Sequence, residues 1–169
     1  MRTLRAVVLS ACLAAGASAV AAGVSAAELV KTQPPCPGVC VSMGAGDTTV
    51  VARKISFDAP RKGTAVVTFH GTLYCLSNRA LQTNFIIYSQ IVIKGAPDPE
   101  GPSGLSFIES VEPYDGNSRT VSFNLASTRV YNVGKPGKRT YQFKLAPFGM
   151  PADAGCSVYS GAFTVQFSS

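Results

Sequence analysis

The sequence predicts an all-β domain folded as an antiparallel β-sandwich, with a jelly roll favoured and an immunoglobulin-like arrangement as the alternative. Apolar and polar residues alternate in several segments, which is the period of a half-buried strand. Turn signals rich in Pro and Gly separate these segments, and no convincing helical pattern follows residue 27. The chain has no tryptophan, which is the usual core marker of an immunoglobulin domain.

The clearest strand spans residues 63–75. Its odd-numbered residues are mostly apolar, with Val67, Phe69 and Leu73 among them, whereas its even-numbered residues include Thr68, His70 and Tyr74. Successive side chains of a strand point to opposite faces. We therefore expect one face in the core and the other near water, with the only histidine on the outer face.

Further strands are predicted at residues 48–57, 84–94, 105–111, 119–133, 140–146 and 156–167. In the first of these, Val51, Ile55 and Phe57 should share a face. In the last, the shared face is predicted to hold Tyr159, Phe163, Val165 and Phe167. Residues 84–94 are apolar on both faces, so we expect both faces of that strand to be covered.

The N-terminus predicts export. Arg2 and Arg5 precede a small, apolar run at residues 6–22, and small residues before Glu28 predict cleavage after Ala26 or Ala27. The predicted organisation is a signal peptide at 1–27, a disulfide-tied N-terminal loop at 28–46 and a β-sandwich at 47–169. This organisation implies a secreted or periplasmic protein. A transmembrane anchor and a lipid anchor at Cys12 are the less favoured alternatives.

Charge excludes one class of partner. Without the signal peptide, thirteen basic and nine acidic residues remain, a net charge of +4. The basic residues are scattered in ones and twos, without a run of five like charges. The sequence therefore predicts no nucleic-acid partner and no polybasic membrane patch.

Four cysteines remain after the predicted cleavage, and an even number in an exported domain indicates two disulfides. Cys36 and Cys40 flank a Pro-Gly turn. Cys75 lies at the end of one predicted strand, and Cys156 lies at the start of another, so they can meet if those strand ends are close. We favour the pairs Cys36–Cys40 and Cys75–Cys156 among the three possible connectivities. The spacing of the first pair is not that of a thioredoxin-type redox motif.

Several segments together resemble the jelly-roll superfamily of complement globular heads and tumour necrosis factor. They are KGTAVVTFHG at residues 62–71, VSFNL at 121–125, VYNVG at 130–134 and TYQFKL at 140–145. The resemblance covers residues 48–167 and implies a jelly roll, often trimeric, that binds partners rather than catalyses. The two disulfides and a Pro-rich segment at 95–104 depart from that superfamily's pattern.

The sequence offers little support for catalysis. His70 is the only histidine, and no serine elbow, phosphate loop or zinc-ligand constellation accompanies it. Glu109, Glu112 and Asp115 form the nearest carboxylate cluster, but the first two are expected on opposite faces. We therefore expect no catalytic residue, no cofactor and no metal.

Three functional hypotheses remain open. The favoured one is a non-catalytic structural or interaction protein that self-associates, because the two-faced apolar strand needs cover. The second is a carbohydrate- or peptide-binding module that uses exposed aromatic residues such as Tyr74, Tyr88 or Tyr159. The third is a secreted hydrolase built on the carboxylate cluster.

Overall fold

The computed structural model describes residues 29–77, 84–95, 107–111 and 119–169. This part of the chain contains nine β-strands and no helix. The strands are β1 Leu29–Gln33, β2 Val39–Gly44, β3 Val50–Ala59, β4 Gly63–Ser77, β5 Phe85–Ile93, β6 Phe107–Val111, β7 Arg119–Val133, β8 Gly137–Phe148 and β9 Ala154–Ser168. The predicted signal peptide and the carboxylates Glu112 and Asp115 lie outside the described residues.

The strands form two antiparallel sheets that pack face to face. Sheet A has the order β1-β9-β4-β7, with β2 also paired to β9, and sheet B has the order β3-β8-β5-β6. The pairs β2–β9, β3–β8, β4–β7 and β5–β6 are nested inside one another like one long folded hairpin. This nesting is the topology of a jelly roll, so the predicted fold class is confirmed.

The core lies between the sheets and is rich in aromatic rings. Val67, Phe69 and Leu73 of β4 are fully buried, as the alternation predicted. The ring of Phe69 stacks on Phe143 of sheet B, with centroids 3.8 Å apart, and meets Phe163 edge-on. Contacts of this kind stabilise beyond the area they bury, and they fix how the sheets sit on each other.

One hydrogen bond ties the two sheets together near an edge of the sandwich. The Tyr131 hydroxyl of β7 donates to the Ile91 carbonyl oxygen of β5 at 2.7 Å. Burial raises the pKa of Tyr131 to about 12 from its ordinary value of 10.0, against a smaller opposing effect of Arg129. The pKa of its ring neighbour Tyr141 is also raised by burial. Burial therefore favours the neutral form of both phenols in the folded protein.

The N-terminal segment differs from the predicted loop because it contains β1 and β2. Both strands pair with β9, so the start and the end of the described chain lie side by side in sheet A. Residues 34–38, which hold three of the prolines, separate them. A short strand beside an existing edge needs only backbone pairing, so the sequence carries little alternating pattern to reveal it.

Two β-bulges correct the predicted faces of β3 and β9. Val51 is 40 % exposed, because the register between β3 and β8 shifts between Val51 and Arg53 and turns Ala52 inward. Tyr159 is 37 % exposed, because Ser160 and Gly161 together oppose the single residue Gly71 of β4. An extra residue reverses which face the following side chains occupy.

Candidate functional site: the outer face of sheet A

The outer face of sheet A carries small polar side chains over its whole width. We call this surface the hydroxyl face, because serine and threonine are its commonest residues. Its described residues are Val30 and Thr32 of β1; Val39, Ser42 and Gly44 of β2; Thr64, Val66, Thr68, His70, Thr72, Tyr74 and Leu76 of β4; Thr120, Ser122, Asn124, Ala126, Thr128, Val130 and Asn132 of β7; and Gly155, Ser157, Tyr159, Ala162, Thr164, Gln166 and Ser168 of β9.

The register aligns hydroxyl groups in rows that run across the strands. Thr32, Thr164, Thr68 and Thr128 stand side by side on four neighbouring strands. The hydroxyl groups of Thr68 and Thr128 are 3.3 Å apart, which allows a hydrogen bond between them. Threonine is β-branched and stiff, so such a row presents hydroxyl and methyl groups in a fixed pattern.

The hydroxyl face also exposes large apolar side chains while lacking Lys, Arg, Asp and Glu among its described residues. Val130 is 67 % exposed and Val30 is 56 % exposed. Tyr74, Leu76 and Tyr159 are exposed as well. An exposed surface that combines apolar groups with uncharged polar ones is typical of an interaction site.

A shallow groove, which we call the tyrosine groove, lies at one end of this face. Its volume is about 560 Å³, and its lining includes one acidic residue, Asp153, together with Tyr74, Tyr159, Ser42, Ser157 and Thr120. The rings of Tyr74 and Tyr159 meet edge to face, with centroids 5.5 Å apart and planes at 76°. The hydroxyl oxygens of Ser42 and Ser157 lie 2.8 Å apart beside them.

The tyrosine groove depends on the bulge in β9. Ser160 has a φ of 54°, a left-handed conformation that is uncommon outside glycine. Without the extra residue, Tyr159 would keep the parity of Phe163 and point toward the core. Alternation alone therefore placed Tyr159 on the core face, and a left-handed serine leaves no signal in the sequence.

Both disulfides brace sheet A next to this surface. Cys75 and Cys156 face each other directly across β4 and β9, with Cα atoms 4.0 Å apart and both residues buried. The bridge between Cys36 and Cys40 lies over the bulge, where the Gly161 amide donates to Cys40 Sγ at 3.2 Å. These are the two pairs favoured from the sequence.

The other candidate residues do not converge with the tyrosine groove. His70 is exposed, as predicted, and its partners in the neighbouring strands are Ala126 and Ala162. Tyr88 lies on the outer face of sheet B opposite Ala146, away from the two other tyrosines. Glu109 lies in β6. No group of three or more His, Cys, Asp or Glu side chains that could hold a metal occurs within the described residues.

Self-association was predicted because the strand at residues 84–94 is apolar on both faces. The structure covers one face of this strand with the core and the other in part. Phe85, Ile87 and Ile91 are buried in the core on one face of β5. On its other face Val92 is only 5 % exposed and Tyr88 is half-buried. Among the described residues, the apolar side chains of the hydroxyl face, such as Val130 and Val30, are therefore more exposed than Tyr88 and Val92 on the outer face of β5. No helix in the described ranges is long and apolar enough to cross a membrane.

Comparison with known proteins gives no family. The chain matches no protein-family profile and no curated protein sequence. Solved structures of infectious bursal disease virus match over most of this chain. For the Gx strain the sequence identity is 15 % and the TM-score 0.41, over 81 % of this chain and 32 % of that chain. For the Gt strain the identity is 15 % and the TM-score 0.40, over 82 % of this chain and 33 % of that chain.

A third match, a subviral particle of the same virus, has 16 % identity and a TM-score of 0.40, over 81 % of this chain and 32 % of that chain. This chain thus spans about a third of the length of the viral chains that it matches. The resemblance to the complement and tumour necrosis factor superfamily stays a prediction, and the jelly-roll topology is compatible with it.

Proposed function

We propose that this chain is an exported, non-catalytic interaction protein that self-associates through the hydroxyl face of sheet A. The observation that supports this proposal is the combination of exposed apolar groups with the lack of Lys, Arg, Asp and Glu among the described residues of that face. The two disulfides favour an oxidising compartment outside the cytoplasm, where such bonds persist.

Charge favours a second copy as the partner on this face. Two copies of a chain with a net charge of +4 after export repel each other wherever their basic residues meet. The hydroxyl face allows close approach without that repulsion, and its serine and threonine hydroxyl groups can act as donors and acceptors for the same groups of the other copy.

The size of the hydroxyl face also suits a stable dimer. Strands β4, β7 and β9 each have 15 residues, and β1 and β2 together fill the fourth strand position. At a strand spacing of about 4.8 Å and a rise of roughly 3.3 Å per residue, the face measures roughly 950 Å². A standard interface takes about 800 Å² from each partner.

The test is light scattering on the mature chain over a concentration series, with two matched charge substitutions. Val130→Lys places a charge on the hydroxyl face, and Phe148→Lys places the same charge on sheet B at a residue equally exposed, 66 % against 67 %. We expect Val130→Lys to raise the dissociation constant at least about tenfold, because like charges would face each other across the interface. Phe148→Lys should leave it unchanged.

Two results would overturn the proposal. One is a wild-type chain that stays monomeric up to about 1 mM, a concentration at which even weak interfaces are occupied. The other is an equal effect of the two substitutions, which would place the interface elsewhere. Circular dichroism of both variants serves as the folding control.

A second candidate function is the binding of a neutral saccharide in the tyrosine groove. The edge-to-face pair of Tyr74 and Tyr159, with hydroxyl groups beside it, favours this ligand. Aromatic faces pack against the C–H faces of sugars, and hydroxyl groups fix their orientation. A glycan array with Tyr74→Ala and the control Tyr88→Ala tests it. Signal lost only in Tyr74→Ala supports the site, and no signal from the wild type rejects it.

A further inference from the structure

Three lysines, two in neighbouring strands and one just after a third strand, line one groove on the outer face of sheet B. Lys54 of β3, Lys138 of β8 and Lys94, which follows β5, line one groove of about 460 Å³ together with Ser56, Thr140 and Gln142. We call it the lysine groove. It lies on the opposite side of the sandwich from the hydroxyl face, and none of its described lining residues is acidic.

The register explains why residues so far apart in sequence meet. Lys54 stands opposite Gln142 on β8, and the Lys94 amide donates to the Thr140 carbonyl oxygen at 2.9 Å. Lys94 stands level with Thr140, two residues along β8 from Gln142, and β8 lies between β3 and β5. The backbone positions of Lys54 and Lys94 are therefore about 12 Å apart. Lys138 lies two residues along β8 from Thr140, on the same face.

A pair of hydroxyl groups occupies the centre of this triangle. Ser56 Oγ and Thr140 Oγ1 lie 2.7 Å apart on neighbouring strands. An oxyanion over this pair could accept hydrogen bonds from a hydroxyl group and from the ammonium groups around it, and hydrogen bonds from a charged donor are the stronger kind. The groove therefore combines charge with oriented donors.

We propose that the lysine groove binds sulfate or phosphate groups carried on an extended anionic polysaccharide. The backbone positions of the three lysines are about 8 to 14 Å apart, a spread that suits several anions along a chain better than one small ion. No aromatic side chain is among the described residues of the groove, so it offers no stacking platform for nucleic-acid bases. This site is separate from the hydroxyl face and does not depend on self-association.

Among the described residues, Asp58 is an acidic side chain that stands next to this site. It stands opposite Lys138 in the pairing of β3 with β8 and is exposed. Its carboxylate lowers the local positive potential without lining the groove. Asp58→Asn should therefore tighten binding two- to threefold, by removing an unfavourable charge near the ligand.

The experiment measures binding of the mature chain to dextran sulfate by calorimetry at several salt concentrations. The groove variant Lys54→Gln/Lys94→Gln/Lys138→Gln is compared with Lys31→Gln/Lys62→Gln/Lys135→Gln, which removes the same net charge at exposed lysines outside the groove. We expect the groove variant to bind at least tenfold more weakly and to lower the slope of log K against log salt by about two to three. The control should stay within about threefold of wild type.

Several outcomes would overturn the proposal. Equal weakening in the two triple variants would mean that net charge alone drives binding, and neutral dextran that binds as well as dextran sulfate would remove the role of the anion. Inorganic phosphate that binds as tightly as the polymer would indicate a single-ion site. Tighter binding to vesicles of phosphatidylglycerol and phosphatidylcholine than to dextran sulfate would indicate a membrane surface.

Discussion

Sheet A carries both disulfides and an outer face without Lys, Arg, Asp or Glu among its described residues, whereas sheet B carries a groove with three lysines on its outer face. The inner faces of the two sheets are alike, because both supply aromatic and aliphatic side chains to one core. The difference shows that the two outer faces of one sandwich can carry different kinds of side chains over a shared core, uncharged among the described residues of sheet A and basic in the groove of sheet B. Each outer face is set by alternate residues that the core does not constrain.

The bracing of sheet A predicts the largest effect on stability. The Cys75–Cys156 bridge joins residues 81 apart in sequence, and the Cys36–Cys40 bridge joins residues 4 apart. Loop entropy predicts that Cys75→Ala/Cys156→Ala lowers the free energy of unfolding by about 4 kcal/mol and Cys36→Ala/Cys40→Ala by about 2 kcal/mol. Urea unfolding followed by circular dichroism measures both losses. An equal or reversed ranking would contradict the loop-length argument.

The bulge in β9 predicts an intermediate effect. A methyl group on Gly161 would lie 2.9 Å from Cys40 Sγ and 3.1 Å from the Phe69 ring, which is itself packed on Phe143. Gly161→Ala should therefore destabilise the fold by about 1 to 3 kcal/mol through overpacking. The control is Gly155→Ala in the same strand, where the nearest atom is 3.6 Å away, an ordinary contact.

Urea unfolding of these two variants measures the difference in their free energies of unfolding. If Gly161→Ala also shifts the bulge, Tyr159 moves with it. The tyrosine groove on sheet A should then change, while the lysine groove on sheet B should stay intact. A Gly161→Ala variant as stable as Gly155→Ala would show that β9 has room at the bulge, contrary to the packing described above.

The ionisation of Tyr131, whose hydroxyl joins the two sheets, predicts the smallest effect, and this effect is confined to high pH. The pKa of Tyr131 is about 12 in the folded chain against 10.0 ordinarily, so the folded state holds this proton more tightly than the unfolded state. The stability that comes from the neutral phenol is therefore fully present below pH 10 and is lost as the pH rises toward about 12.

Tyr131→Phe cannot ionise, so its free energy of unfolding should fall less steeply than that of the wild type between about pH 10 and 12. Urea unfolding at a series of pH values measures the two slopes. Tyr141 is present in both proteins and gives the common background. Parallel slopes would mean that Tyr131 ionises equally in the folded and unfolded chains.

Sequence patterns were most reliable where a strand keeps strict alternation. The inward side chains of β4 and the core residues Phe163, Val165 and Phe167 of β9 lie where the pattern placed them. The core faces predicted for Val51 and Tyr159 were wrong because a bulge adds one residue and reverses the following faces. The separate hypothesis that took Tyr159 as an exposed aromatic residue placed it correctly. The segment at 28–46 was predicted as a loop, but it contains β1 and β2. Its sequence shows little alternation, because these two strands gain their order from pairing with β9.

The sequence by itself determined the sandwich and the outward position of His70, because alternation is a local property of the chain. It favoured two disulfide pairs among three possible connectivities, but the register of β4 with β9 is what brings Cys75 to Cys156. Only the tertiary structure brought Tyr74 to Tyr159 and gathered Lys54, Lys94 and Lys138 around one pair of hydroxyl groups. The physical reason is that strand register and bulges are fixed by pairing between distant segments, which no single stretch of sequence records.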